Sequence, residues 1–232
     1  MESKRQDEGS TPGTLTTPPV APLLSRLFAD AEKSDKILGK MFGHLSREER
    51  AARMSDPNAD YRAFYERAKD IHMSVSPDTG ALLYMLARAN SARAIVEFGT
   101  SFGISTIHLA AALRDNGGGR LIGTEFEPNK LAHARANLEA AKLADLVEIR
   151  EGDALETLSR DLPDAIDVVL LDGHKALYGK VLALVAPRLR PGSFLVADNA
   201  DACPAYIQHV RAAGSGYLSV PFREDVELTM KI

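Results

Sequence analysis

From Ser76 onward the chain alternates short apolar runs with helix-length stretches, and this alternation constrains the fold more than any other feature. The runs cover 94–98, 121–124, 147–149, 166–171 and 194–197. Each is continuous rather than alternating apolar with polar, the pattern of parallel strands buried on both faces. Helical stretches separate them at 105–114, 129–142, 155–160 and 176–189, and Pro77 opens another that runs through 80–89. A parallel sheet with helices on both sides follows. Such sheets hold ligands beyond the carboxyl ends of their strands, so functional residues are expected just after each apolar run.

The two ends read differently. Residues 1–22 are rich in Thr, Pro, Ser and Gly without a periodic apolar face, and are read as a flexible arm. Residues 23–70 read as a helical extension. There Leu23, Leu24, Leu27 and Phe28 share a face, as do Ile37, Leu38 and Met41, and Tyr61, Phe64, Tyr65 and Ala68. Ser46 and Glu49 are spaced as a capping box. This extension suits a sheet cover, an active-site roof or a dimer contact. At the other end, 217–221 and 226–232 are expected to pair as an antiparallel hairpin around 223–225.

The net charge of -4, with Lys and Arg scattered, gives no footprint for nucleic acid. No apolar run spans a bilayer, and the first residues lack an apolar signal core, so the expected location is the cytoplasm and no membrane partner is expected. Cys203 is the single cysteine, which excludes an internal disulfide.

The chemistry gathers at the expected strand ends. The first strand runs into Glu97-Phe98-Gly99-Thr100-Ser101-Phe102-Gly103, a G-x-x-x-G loop before a helix start. Glycines let a ligand approach the backbone, and Glu97 can hold the ammonium of a bound amino acid. The second ends at Glu125, an acid placed to accept both hydroxyls of a ribose. The third is followed by Asp153, which can contact an adenine amino group or cap the next helix. The fourth and fifth end in Asp172-Gly173-His174-Lys175 and Asp198-Asn199. Asp172, Asp198 and Asn199 from neighbouring strands suit a hard octahedral cation such as Mg²⁺.

The run from His72 to Gly80, together with the glycine loop, resembles caffeoyl-CoA O-methyltransferases and their bacterial relatives. The D-G-H-K-x-x-Y run at Asp172 and the A-D-N at Ala197 are similar to catechol O-methyltransferase. The resemblance covers 71–232, which is read as the S-adenosylmethionine-binding domain. It implies a doubly wound α/β fold: a mostly parallel, seven-stranded Rossmann-like sheet with the antiparallel hairpin at its end. It implies that Glu97 and Gly99 bind the methionine part of the cofactor, with Ser105 and the Val75 backbone on its carboxylate. Glu125 would take the ribose, with Asp153 and Ala154 beside the adenine, and Ser101 and Asp172 complete the cofactor set. Asp172, Asp198 and Asn199 would hold the metal. Lys175 would be the base that deprotonates the hydroxyl of a small, catechol-like acceptor, and must be neutral to do so. A homodimer is implied as well.

The chain has no Trp to wall a flat acceptor. The segment after Asn199 is short, so the acceptor loop of the plant enzymes is expected to be replaced by the N-terminal helices. His174 lines the pocket, ligates metal or fills space, and Glu224 or Asp225 reaches the acceptor or forms a plain charged turn. Three other readings compete: a metal-independent methyltransferase, a nicotinamide-dependent oxidoreductase and a non-catalytic nucleoside-binding protein. The loop spacing and the Asp-Asn pair disfavour the oxidoreductase, and intact Asp172, Lys175, Asp198 and Asn199 argue against lost catalysis.

Overall fold

A computed structural model describes residues 12–56, 58 and 60–232. Nine α-helices and seven strands alternate among the described residues. The strands are β1 (Ala94–Phe98), β2 (Arg120–Glu125), β3 (Val147–Glu151), β4 (Ile166–Leu171), β5 (Leu189–Ala197), β6 (Tyr217–Pro221) and β7 (Glu227–Lys231). They form one sheet in the order β3-β2-β1-β4-β5-β7-β6. The first five are parallel, and β7 runs antiparallel between β5 and β6. The doubly wound expectation and the terminal hairpin are both met.

Side chains of a strand alternate between faces, and here both faces are buried. Ile95, Leu121, Val168, Leu170 and Val196 pack on one side, and Val96, Ile122, Val169, Leu171 and Leu195 on the other. The first side is covered by α1 (Val20–Phe42), α4 (Pro77–Ala89) and α5 (Ile104–Asp115). The second is covered by α8 (Tyr178–Val185) and α9 (Pro204–Arg211). α6 (Pro128–Ala141) and the short α7 (Ala154–Thr157) complete the windings.

The amino-terminal segment departs from expectation. Residues 1–11 of the expected arm lie outside the described residues, but 13–22 are fastened to the domain. Thr14 donates its N–H and hydroxyl to Asp115, which also accepts from Tyr84. Helix α1 begins at Val20, and its Leu23, Leu24, Leu27 and Ala31 are part of the core. Burying each leucine contributes about 2 kcal/mol, enough to override a Thr/Pro-rich composition. The second half of the same helix leaves Ile37 and Met41 exposed.

α2 (Arg47–Ser55) starts in the expected capping box: Ser46 Oγ accepts from Glu49 N–H, and the Glu49 carboxylate accepts from Ser46 N–H. α3 (Tyr61–Arg67) is shorter than the periodicity suggested, capped by Asp60 and ending at Arg67. Two more boundaries moved for local reasons. Pro187 cannot continue an α-helix, and β5 begins at Leu189 rather than at Phe194. α7 ends at Thr157, where the Arg150 guanidinium donates to the carbonyls of Thr157, Arg160 and Asp161.

Candidate active site

The strand order reverses between β1 and β4, the place where open α/β sheets take ligands. Register aligns Phe98 with Thr124 and Leu171, and Leu171 with Ala197. Gly99, Glu125, Asp172 and Asp198 therefore leave the sheet side by side. Gly99 has φ +99°, and a Cβ there would lie 2.6 Å from the Asp172 carbonyl oxygen. Only glycine lets the two loops meet this closely.

Glu97 is engaged within the protein. It is fully buried behind the glycine loop, where its carboxylate accepts from the hydroxyls of Thr100 (2.9 Å), Ser105 (2.6 Å) and Thr106 (2.6 Å). Burial pushes its pKa up to about 7, against the opposing pull of these three donors. Its role here is to hold the loop and the start of α5. Ser105 therefore spends its hydroxyl hydrogen on Glu97, although its side still faces the cavity. The Val75 side chain is buried in the core, while the preceding His72, Met73 and Ser74 line the cavity.

Glu125 is engaged by backbone. It accepts from Ser101 N–H at 2.8 Å, and from Phe126 and Glu127 N–H at 2.9 Å each. Ser101, at φ +48°, also donates its hydroxyl to the His72 carbonyl at 2.5 Å and accepts from Lys130 Nζ at 3.3 Å. Asp153 realises the capping alternative: one oxygen accepts from Leu155 N–H, ahead of buried Ala154. Its other oxygen pairs with Arg62 at 3.1 Å.

The acid–base cluster lies at the ends of β4 and β5. Lys175 is buried, and its Nζ donates to Asp172 Oδ1 at 3.1 Å and to the Tyr178 hydroxyl at 2.8 Å. Tyr178 passes the connection on, donating to the Asp198 carbonyl at 2.6 Å. This tie explains the tyrosine of the D-x-x-K-x-x-Y run, which sequence reasoning left without a role. Burial raises the Asp172 pKa although Lys175 opposes it. Burial, then the neighbouring charge of Asp172, pushes Asp198 up to about 8. Asp225 adds negative charge to both from the terminal turn, which is held by Ala200 N–H donating to its carbonyl. Asn199 follows at φ +50°.

Among the described residues no three or more His, Cys, Asp or Glu gather as a metal cage. The donor set expected from sequence is two carboxylates and an amide. It fits a dication on charge: burial and neighbouring negative charge make the two acids resist ionisation, and only the lysines Lys175 and, for Asp172, Lys130 oppose this. His174 stacks on Tyr61 of α3 with centroids 4.7 Å apart.

A methyltransferase-domain family model matches residues 96–200. A relative from Mycolicibacterium smegmatis, assigned to the O-methyltransferases, is 32% identical over 173 residues, covering 70% of this chain and 82% of its own. The chain belongs to the S-adenosylmethionine-dependent O-methyltransferase family. A catechol O-methyltransferase from Niastella koreensis is 38% identical over 130 residues, 55% of this chain and 58% of that one. The chain spans about three-fifths of the length of the first curated relatives it matches. Among solved structures, the O-methyltransferase TomG from Streptomyces achromogenes, in complex with SAM, has a TM-score of 0.56 at 25% identity. The alignment covers 87% of this chain and 98% of TomG. A Bacillus cereus O-methyltransferase in complex with SAH shares the fold, with a TM-score of 0.64 at 21% identity over 87% and 99% of the two chains. Family membership removes the oxidoreductase reading that an acid at the end of the second strand, Glu125, had left open.

Proposed function

We propose that this chain transfers the methyl group of S-adenosylmethionine to a hydroxyl of a small, catechol-like acceptor, with a divalent cation, Mg²⁺ by preference, at Asp172, Asp198 and Asn199. One observation carries the reading: Lys175 is pinned between Asp172 and Tyr178, with a second carboxylate, the buried Asp198, at the neighbouring strand end. The cation would acidify a bound hydroxyl and fix its direction, and the cofactor would supply an electrophilic methyl.

The chain's own residues do the rest. Lys175 Nζ takes the hydroxyl proton. Asp172 and Tyr178 hold that nitrogen in place, so its position does not depend on the acceptor. Gly99 and Ser105 line the methionine side of the cavity. Glu125 would take the ribose, and Asp153, which also caps α7, would lie beside the adenine. The burial of Lys175 and Asp198 excludes bulk water from the proton transfer. The relatives named catechol O-methyltransferase support the acceptor class.

No helix among the described residues is long and apolar enough to cross a membrane. A cytoplasmic location and a homodimer are part of the proposal. The dimer contact is assigned to the α1 face carrying Ile37 and Met41, both exposed.

Methyl transfer to a panel of catechols and hydroxyaromatics, read by mass spectrometry with Mg²⁺ or with excess chelator, tests the proposal. Product that vanishes with chelator and returns with metal supports it. Product undiminished in chelator removes the cation and leaves a metal-independent methyltransferase. Failure to bind S-adenosylhomocysteine, both in the wild type and in variants that weaken α3, removes the methyltransferase reading altogether.

A further inference from the structure

The nucleoside side of the site contains part of the protein itself. Tyr61, at the start of α3, lies nearly parallel to the His174 ring, 4.7 Å away with 19° between planes. It meets Phe126 edge-on at 5.9 Å, and its hydroxyl points to Asp153 Oδ2 at 3.4 Å. Arg62 pairs with the same oxygen. One turn later, Tyr65 also packs edge-on against Phe126, at 5.6 Å, facing Glu125 and Asp172. A flat ring stacked on His174, with a polar edge on Asp153 and beside the residue that follows Glu125, makes the contacts an adenine would make here. The cavity left between Gly99, Ser105 and Asp172 is about 10 Å³, room for roughly one water. Ligand pockets for a molecule the size of a nucleoside run to roughly 300 Å³ or more.

α3 is built to leave. It has seven residues, none of them fully buried, and a helix that short has little stability of its own. Its attachments include the aromatic contacts, the Arg62–Asp153 pair, Lys130 Nζ over the Tyr65 ring at 5.7 Å, a hydrogen bond between His174 and the Asp56 backbone, and Asn129 donating to Lys69 and Asp70, while the buried Ala68 and Ile71 anchor the chain just after it.

We propose that α3 is an intramolecular occupant of the adenosyl subsite, with Tyr61 in the place of the base, and that cofactor binding requires its displacement. The inference rests on the O-methyltransferase reading of Glu125 and Asp153. The N-terminal extension then gates the cofactor as well as roofing the site. If the binding-competent, open form is a minor population, apparent affinity is reduced by that fraction.

Titration calorimetry with S-adenosylhomocysteine on the full chain, with hydrogen exchange on free and bound wild type, tests this. Tyr61→Ala is expected to tighten binding about tenfold or more, as the closed form loses its stacking and its hydrogen bond. Arg62→Ala changes only an exposed side chain and keeps the test alive if the tyrosine variant folds poorly. It is expected to tighten binding about twofold to fivefold. In the wild type, S-adenosylhomocysteine is expected to slow exchange at 97–105 and speed it at 61–67. Weaker or unchanged binding in both variants, or slower exchange at 61–67 on binding, overturns the proposal: α3 is then a wall of the bound state. No binding by wild type or by either variant overturns the functional reading, and this inference with it.

Discussion

Replacing Glu97 by glutamine removes one ionisation from the centre of the site while nearly preserving shape. Glu97 is fully buried and its pKa stands near 7 instead of 4.5. Below about pH 4.5 the carboxyl is protonated in folded and unfolded chains alike, and its contribution to stability is complete. Between pH 4.5 and about 7 the unfolded chain gives up the proton while the folded one keeps it, so stability falls as pH rises. At about 1.4 kcal/mol per pH unit, the 2.5 units between 4.5 and 7 amount to about 3 kcal/mol lost by pH 8. The substituted amide would not titrate, and the hydroxyls of Thr100, Ser105 and Thr106 can each turn to accept from it as well as donate. Urea denaturation of wild type and Glu97→Gln at pH 5 and pH 8 reads the effect. Because part of the loss has already occurred at pH 5, the stability difference between the two proteins should move by about 2.5 kcal/mol in favour of the variant at the higher pH. Subtracting the variant cancels the titrating groups that do not interact with Glu97, leaving Asp172 as the neighbour whose charge is coupled to it. Parallel pH profiles would refute the reasoning and mean that the three hydroxyls offset burial completely.

Three further outcomes are expected. Lys175→Ala should lower kcat by roughly a hundredfold or more while S-adenosylhomocysteine affinity stays within a few-fold, measured by initial rates and calorimetry. Asp198→Asn should abolish activation by Mg²⁺ yet raise the thermal midpoint of metal-free protein at pH 9, because Asp198, held up to about 8 by burial and Asp172, is an ionised buried carboxylate above that pH. A lowered midpoint there would count against the two-carboxylate site. Gly99→Ala should cost about 2 kcal/mol or more by chemical denaturation, since φ is +99° and the added carbon meets the Asp172 carbonyl.

The sheet is legible from the order of residues alone. β1 and β4 fall where the apolar runs lie, because a strand buried on both faces is predominantly apolar along its whole length. The residues that leave the strand ends are equally legible, because the chain turns directly after each run. Gly99, Glu125, Asp172, Asp198 and Asn199 are local consequences of that pattern, and the capping box at Ser46 and Glu49 is local too. Burial, partners and occupancy belong to the packed molecule. Glu97 reads in sequence as an acid able to hold a ligand's ammonium, and only the fold brings the hydroxyls of residues 100, 105 and 106 onto its carboxylate. Residues 13–22 look like linker, but Asp115 fastens Thr14 from 101 residues away. Tyr61 and Tyr65 show the same limit most clearly. Their spacing gives a helix face, but only the fold brings that face onto Phe126, His174 and Asp153, because contacts between elements depend on topology and not on periodicity.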